Sequence, residues 1–308
     1  MTSRPLRFGA QLWPEATDWP TLRDAGVAMD EAGWDVLMTW DHLLAIEGPW
    51  GQPSFEGWSV LAAWAALTRR VELGLLVGAN TYRNPGLTAK LATTLDHISG
   101  GRAILGLGAA WNEREHEAHG LDFGASPGAR LDWLDEALGI IRRLLAGERF
   151  DHDGPAYHLQ DILHAPLPIR RPMPILVGGS GLRKTLRIVA THADAWDTAG
   201  ALDVVQERVR TLDDHCAAIG RDPSEIERWY HVPIVIRDDH EAAEASIKGA
   251  MAGIGVDEVY PGLYGDPAHV ADGLRPFIDL GFTTFVALLP PPYDRETIDR
   301  IGEVRALL

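Results

Sequence analysis

The chain is poor in cysteine and contains no long apolar run. Cys216 is its single cysteine, so no disulfide can form within the chain and no zinc site of the cysteine-cluster type can be built. No stretch approaches the ~20 apolar residues that span a bilayer, and the first residues carry no apolar signal region. We therefore expect a cytoplasmic protein with no membrane partner, in which Cys216 is a buried packing residue.

Positive charge is also scarce. The 308 residues include 28 Lys and Arg against 44 Asp and Glu, which gives a net charge of −16 with histidine neutral. An acidic surface repels the phosphates of nucleic acids, so nucleic acid is not an expected partner. A locally positive pocket in an acidic protein can still bind an anionic cofactor.

Short apolar runs alternate with longer amphipathic segments along the whole chain. The runs predict eight strands, of which the third is nearly free of charge, as a sheet covered on both faces requires. The predicted strands are Leu6–Trp13, Val36–Trp40, Val71–Val77, Ala103–Leu107, Ile175–Val177, Ala193–Trp196, Trp229–Ile236 and Phe282–Leu288. The predicted helices between and after them are Trp19–Ala32, Gly57–Leu67, Pro85–Ile98, Leu131–Leu145, Leu182–Ala190, Leu202–Ile219, Asp239–Met251, Pro267–Leu280 and Arg295–Leu307.

Eight strands, each followed by a helix, predict an α/β fold of the (β/α)8 TIM-barrel type in one domain, 1–308. Insertions are expected after strand 4 and before strand 5, at about 109–128 and 149–174. The second contains a predicted hairpin, Arg149–Leu159, that turns at Asp153-Gly154. The rival fold is an open doubly wound sheet, but the first strand is not followed by the Gly-x-Gly-x-x-Gly turn of that class.

In a barrel, chemistry lies at the carboxyl ends of the strands. The fifth strand runs into Gly178-Gly179-Ser180-Gly181 and then into a helix. Successive backbone N–H groups and a helix N-terminus can bind a phosphate monoester there, with the Ser180 hydroxyl and Arg183 or Lys184 adding to the site. The alternative is a tight turn in which the glycines serve packing only. The turn does not match a Walker loop.

Two other strand ends carry polar groups. Asp41 and His42 follow the second strand, where His42 could donate a proton or bind a cofactor ring atom. An Asx-type turn with an incidental histidine explains them equally well. Gly78, Ala79 and Asn80 follow the third strand, and their backbone groups and the Asn80 amide could meet a ring edge. An ordinary loop is an equal alternative.

The fourth strand leads into a segment dense in Glu and His. His116 and His119 are three residues apart, one fewer than the His-Glu-x-x-His zinc motif requires. We therefore predict a solvated, charged helix here and no metal site. Gly179-Ser180-Gly181 also lacks the Gly-x-Ser-x-Gly pattern of a nucleophile elbow, so serine nucleophile chemistry is not expected.

Taken in order, five stretches between residues 6 and about 200 resemble the luciferase-like monooxygenase superfamily, in its branch of coenzyme F420-dependent oxidoreductases. These are Ala32–His42, Thr93–Arg102, Gly106–Glu113, Pro174–Leu186 and His192–Asp197. The resemblance implies a (β/α)8 barrel, often a homodimer, with the cofactor's tricyclic ring at the carboxyl-end mouth.

The resemblance also implies roles for individual residues. The cofactor phosphate would lie on Gly178–Gly181, and Asp41 and His42 would contact the cofactor, with His42 as a candidate proton donor. The Gly78-Ala79 peptide would take the family's cis position, where a bulge meets the ring. The remaining residues expected at the cofactor are Asn80, Gly108 and Asn112.

One position departs from the family pattern. Several F420-dependent dehydrogenases carry a glutamate general acid where this chain has Ala110, and Glu113 is the nearest candidate to replace it. We expect an F420-dependent enzyme that transfers a hydride to or from a small organic substrate. The alternatives are an FMN-dependent monooxygenase supplied by a separate reductase, a non-catalytic flavin-binding barrel, and a phosphate-binding carbohydrate or isomerase barrel. Loops 43–56 and 255–265 would shape the substrate pocket.

Overall fold

The structure of the protein is a computed structural model that describes residues 4–308. Residues 1–3 lie outside the described residues. They are part of the predicted domain 1–308 and of the N-terminal stretch in which no signal region was expected. The strands, in chain order, are β1 (Arg7–Leu12), β2 (Val36–Thr39), β3 (Glu72–Leu75), β4 (Gly78–Ala79), β5 (Ala103–Gly108), β6 (Arg149–Asp153), β7 (His158–Leu163), β8 (Ile175–Gly178), β9 (Ala195–Thr198), β10 (Glu227–Ile236), β11 (Leu263–Gly265) and β12 (Phe282–Leu289).

Eight of these strands form a closed parallel barrel. The ring runs through β1, β2, β3, β5, β8, β9, β10 and β12, and it closes because β12 pairs with β1. This confirms the predicted (β/α)8 barrel, and each predicted strand is found within a few residues of its predicted bounds. The short strand β4 extends the third position of the barrel and pairs with β5.

Helices surround the barrel on its outer side. They are α1 (Trp19–Glu31), α2 (Gly57–Leu67), α3 (Pro85–Ser99), α4 (Glu113–His119), α5 (Pro127–Leu145), α6 (Thr185–His192), α7 (Leu202–Ala218), α8 (His240–Gly253), α9 (Pro267–Asp279) and α10 (Arg295–Arg305). Local sequence fixes their starts. For α5, the Ser126 side chain accepts a hydrogen bond from the Ala129 N–H, and Pro127 suits the first turn. The helix therefore begins four residues earlier than predicted.

Three apolar clusters form the core, and two of them build the barrel. The larger lies between the strands and the helices, as expected for strands that alternate with amphipathic helices. The smaller fills the barrel interior and includes Val36, Met38, Ile104, Leu176 and Trp229. This apolar interior closes the barrel below its carboxyl-end mouth, so any ligand must bind above it.

The segment between β5 and β8 is the main insertion and holds α4, α5 and the β6–β7 hairpin. The predicted turn at Asp153-Gly154 is wrong. The Gly154 N–H donates to the Tyr157 carbonyl, so the chain reverses at Pro155 and the residue after it, because proline presets a turn conformation and has no N–H to contribute to a ladder. The segment 255–265, predicted as a loop, contains strand β11 at its end.

Among residues 4–308, none of the helices combines the length and the apolarity that crossing a bilayer requires. Cys216 is buried and free, as expected for a packing residue.

Candidate active site

A cavity of about 810 Å³ opens at the carboxyl ends of the barrel strands. Its walls come from the segments that follow most of the barrel strands, together with α4 and the start of α5. Ten of the predicted site residues line it: Asp41, His42, Gly78, Ala79, Gly108, Asn112, Gly178, Gly179, Ser180 and Gly181. The barrel therefore brings together strand ends that are far apart in sequence.

Two predicted residues do not line the cavity. Asn80 is buried outside it, and its side-chain N–H donates to the Tyr157 hydroxyl at 2.9 Å. Glu113 is exposed at the first position of α4.

Glu115, which the sequence analysis did not single out, is the α4 carboxylate that reaches the cavity. It is fully buried and its Oε2 lies 2.7 Å from Nδ1 of His42. Glu115 also accepts hydrogen bonds from the Leu43 and Leu44 N–H groups and from the Tyr82 hydroxyl. Burial alone would raise the pKa of Glu115, but the hydrogen bonds and the charge of His42 lower it. An ionised Glu115 is an acceptor only, so His42 donates from Nδ1.

The prediction of a solvated helix at 113–119 is therefore corrected. Glu115 and His116 are both fully buried on the inner face of α4. His116 donates from Nδ1 to the Asn112 carbonyl, and its Nε2 lies 2.7 Å from the Thr81 hydroxyl. The seven residues of α4, Glu113–His119, include hardly an apolar side chain. Their sequence therefore has no hydrophobic periodicity that would show which face of the helix is buried.

Asp41 has a positioning role in this structure. It is 3% exposed, and Arg83 binds its two oxygens at 2.6 and 2.9 Å. One of those oxygens also accepts the Ala79 N–H at 2.9 Å. Because both carboxylate oxygens are engaged, Asp41 ties the end of β2 to β4 and fixes the position of the neighbouring His42.

The non-proline cis peptide lies at Leu76-Val77, so its predicted place at Gly78-Ala79 is wrong. Gly78 and Ala79 instead pair with β5 in regular register. The bulge is therefore two residues earlier, and the Val77 side chain lies between two glycines. A Cβ on Gly108 or on Gly178 would each come within 2.8 Å of a Val77 methyl group. Both glycines are thus required by packing against Val77.

The rest of the turn, 179–181, is exposed to the cavity. Gly179 has φ of +135°, and a Cβ on Gly181 would lie 2.7 Å from Oγ1 of Thr185. Helix α6 follows at Thr185 without a side-chain cap, and the Leu186 N–H donates to the Gly181 carbonyl. These features leave a shallow depression of bare backbone at a helix N-terminus, which suits an oxyanion.

The cation at this turn is not Lys184, whose ammonium group binds Asp132 at 2.8 and 2.9 Å. Arg130 lines the cavity, is only 6% exposed, and makes no salt bridge within the described residues. Its guanidinium stacks 3.7 Å from the Phe123 ring and makes long hydrogen bonds of 3.4 and 3.3 Å to two backbone carbonyls. Burial lowers the pKa of Arg130, as expected for a cation without a counter-ion.

A second histidine–carboxylate pair lines the same cavity. Nδ1 of His231, on β10, lies 2.8 Å from Oδ2 of Asp197, on β9. Among the described residues, no three His, Cys, Asp or Glu side chains converge in a way that could hold a metal ion.

Residues 4–275 match the family model described as luciferase-like monooxygenase. The chain belongs to this family. Membership makes the protein an oxidoreductase with a flavin-type cofactor, in agreement with the resemblance noted in the five sequence stretches.

Individual relatives of this luciferase-like protein refine the comparison. An F420-dependent glucose-6-phosphate dehydrogenase of Microbacterium testaceum is 32% identical over 250 residues, which are 78% of this chain and 71% of that protein. A solved F420-dependent secondary alcohol dehydrogenase, in complex with an F420-acetone adduct, has a TM-score of 0.83 at 18% identity, over 98% of both chains. Monooxygenase RslO1 from Streptomyces bottropensis has a TM-score of 0.80 at 22% identity, again over 98% of both chains. These two structures share the fold.

Three functional candidates of this luciferase-like barrel were missed from sequence: Glu115, Arg130 and the Asp197–His231 pair. Arg130 and His231 come from segments distant from the motif glycines, and only the closed barrel brings them to the cavity. Asp197 carried a usable signal, because it stands at the carboxyl end of a predicted strand.

Proposed function

We propose that the protein is an F420-dependent oxidoreductase that transfers a hydride between the deazaflavin and a small organic substrate. The observation that carries the proposal is the exposed turn 179–181, which lines the same cavity as Arg130, a buried guanidinium with no carboxylate partner among the described residues. A phosphate monoester fits both, because it accepts hydrogen bonds from backbone N–H groups and supplies the missing negative charge. The 32%-identical relative named for F420 favours the deazaflavin as the carrier of that phosphate.

The residues of the cavity also fit the rest of such a cofactor. Thr185 and Arg130 would hold the phosphate at one side, and the Val77 bulge would pack against the ring. His42, oriented by Glu115, would hold or supply a proton at a ring atom. A bound deazaflavin supplies a carbon that accepts or donates a hydride, while the protein contributes orientation and exclusion of water.

The second candidate is an FMN-dependent monooxygenase, which the family description favours. FMN ends in the same phosphate monoester, so the anchor does not separate the two cofactors. The distinction then rests on the ring and on the presence of a reductase that supplies reduced flavin.

Equilibrium titration tests the proposal. We expect quenching of F420 fluorescence at low micromolar protein, weaker binding of FMN, and much weaker binding of riboflavin, which lacks the phosphate. Tight FMN binding without F420 binding would instead establish the monooxygenase. Binding of neither would contradict both candidates.

A further inference from the structure

Trp111 is a large apolar side chain that lines the cavity and is 65% exposed. Its ring lies 5.4 Å from the His42 ring, with 70° between the two planes, so the rings are not stacked. A contact of this geometry uses at most one face of the indole, and a face therefore stays open. Trp50, which is 58% exposed, differs because the Arg114 guanidinium lies over its ring at 4.3 Å.

The backbone holds Trp111 in place from both sides. Ala110 has φ of +64°, in the left-handed region that costs a residue with a Cβ about 1 kcal/mol or more. The Ala110 carbonyl accepts from Nε of Arg130 at 3.4 Å, and the Asn112 carbonyl accepts from Nδ1 of the buried His116 at 2.7 Å. A costly conformation that its surroundings maintain indicates that the position of the side chain between them serves a function.

Trp111 stands in the wall of the cavity above its floor. Val77 lies on that floor, packed between Gly108 and Gly178. Trp111 comes three residues after Gly108, the last residue of β5. A cofactor ring packed on Val77 would turn its other face towards the mouth, where Trp111 and His42 stand. The substrate has to approach that face, so it has to pass beside the indole.

The charges of the cavity exclude an anionic substrate. Arg130 is the one lysine or arginine among the described residues that line it, and the proposed cofactor phosphate takes its charge. The carboxylates that line the cavity are Asp41, Glu115 and Asp197, and each already lies within 3 Å of an arginine or histidine nitrogen. An anionic substrate would therefore be buried without a counter-ion, which is costly.

The wall near Trp111 is apolar. Ala109 and Ala110 precede it in the chain, and Ile46 and Leu131 line the same cavity. An uncharged ring of a substrate would bury apolar surface against these side chains. A flat unsaturated ring would in addition stack on the open indole face, which a puckered saturated ring cannot do as closely.

We propose that Trp111 is a specificity-determining residue that stacks against an uncharged, flat, unsaturated ring of the substrate. This inference rests on the proposed F420-dependent function and names the substrate class for that cavity. Stacking would hold the substrate beside the cofactor ring and His42, and would cover the indole face that is now open. The substrate would thereby gain orientation at the place where the hydride moves.

The test measures binding to the full-length protein saturated with oxidised F420. The probes are benzamide, which is flat and uncharged, cyclohexanecarboxamide, which is saturated, and benzoate, which has the same ring with a negative charge. Isothermal titration calorimetry gives the Kd of each. The variants are Trp111→Ala, Trp111→Leu and Trp111→Phe. The matched control is Leu163→Ala, which removes an apolar side chain of similar exposure, 58%, on β7 of the outer hairpin.

We expect benzamide to bind about three- to tenfold more tightly than cyclohexanecarboxamide, as stacking predicts, and about tenfold or more tightly than benzoate. Trp111→Ala should weaken benzamide binding about tenfold, and in Trp111→Ala and Trp111→Leu the preference for the flat ring should disappear. Trp111→Phe should keep that preference. All variants should keep F420 affinity within about twofold, and Leu163→Ala should match the unaltered protein throughout.

A second readout reports the contact itself. The indole N–H signal of Trp111 in a nitrogen-15 spectrum is identified by its absence from the spectrum of Trp111→Phe. Benzamide should shift this signal through the ring current of its aromatic ring. Cyclohexanecarboxamide has no ring current and should shift it much less.

Four results would overturn the inference while the F420 proposal stands. These are a tenfold loss of F420 affinity in Trp111→Ala, which would show that the indole covers the cofactor; equal benzamide affinity in Trp111→Ala and the unaltered protein; binding of benzoate as tight as that of benzamide; and no saturable binding of any probe to the F420-loaded protein. Absence of F420 binding would overturn the inference and the proposed function together.

Discussion

His42 and Glu115 are 73 positions apart in the sequence and 2.7 Å apart in the fold. Glu115 comes from α4, a helix of the insertion after β5, and it holds both the His42 ring and the backbone of the next two residues. The insertion therefore contributes directly to the cavity wall. It supplies a carboxylate close to the place where the family pattern has a glutamate and this chain has Ala110.

Removal of the Glu115 charge should impair turnover. In Glu115→Gln the side chain keeps its size, but the carboxylate that accepts from Nδ1 of His42 and orients its ring is gone. We expect kcat to fall about 10- to 100-fold, measured as the change of F420 absorbance with an organic substrate that the unaltered protein turns over. Glu113→Gln is the matched control on the same helix and should leave kcat unchanged, because Glu113 is exposed. Equal losses in the two variants would refute a specific role for Glu115.

Arg130→Ala should weaken phosphate recognition alone. A charged hydrogen bond contributes about 1.5–3 kcal/mol, so F420 and FMN should each bind about 10- to 100-fold more weakly. Deazariboflavin and riboflavin, which lack the phosphate, should bind equally to both proteins. Arg130→Lys keeps the charge and should retain part of the affinity, and Lys184→Ala should have little effect because Asp132 already neutralises that ammonium group. An equal loss for ligands with and without phosphate would argue against the anchor.

Gly178→Ala should destabilise the protein through Val77. The added Cβ would lie 2.8 Å from a Val77 methyl group, and overpacking of this kind costs about 1–3 kcal/mol. The double variant with Val77→Ala should recover much of that loss in urea denaturation. Gly302→Ala, in α10 with no atom within 4 Å of the new Cβ, should be neutral or stabilising by up to about 1 kcal/mol. Without recovery in the double variant, the contact with Val77 would not be the cause.

Glu15 should make stability fall as pH rises. It is fully buried, accepts the Ile46 and Glu47 N–H groups, and burial raises its pKa to about 7. Between the ordinary glutamate pKa of 4.5 and about 7, the folded state binds the proton more tightly than the unfolded state does. The free energy of unfolding therefore decreases across this window, by at most about 1.4 kcal/mol per pH unit from this group.

Urea denaturation at pH 5, 6, 7 and 8 measures this effect. Glu15→Gln should flatten the profile over pH 5–7, whereas Glu207→Gln, at an exposed position of α7, should retain the original slope. A profile that keeps its slope in Glu15→Gln would assign the pH dependence to other groups.

The barrel was predictable because its signals are local. Buried parallel strands appear as short apolar runs, and helix starts such as Ser126-Pro127 have capping residues in the sequence. The rule that chemistry lies at strand ends then located His42 and the turn 178–181. The contacts that complete the site are not local. Glu115, the partner of His42, comes from a helix whose sequence has no hydrophobic periodicity. Gly178 is required by the Val77 side chain, which is 101 positions away in the sequence.

The most direct test of the central claim follows single turnover with each reduced cofactor in the presence and absence of oxygen. We predict that reduced F420 bound to the protein is reoxidised only when an organic substrate that accepts a hydride is added, at the same rate with and without oxygen and with no oxygen consumed. Reoxidation of bound reduced FMN that consumes oxygen together with an organic substrate, with reduced F420 inert towards every substrate, would contradict the account.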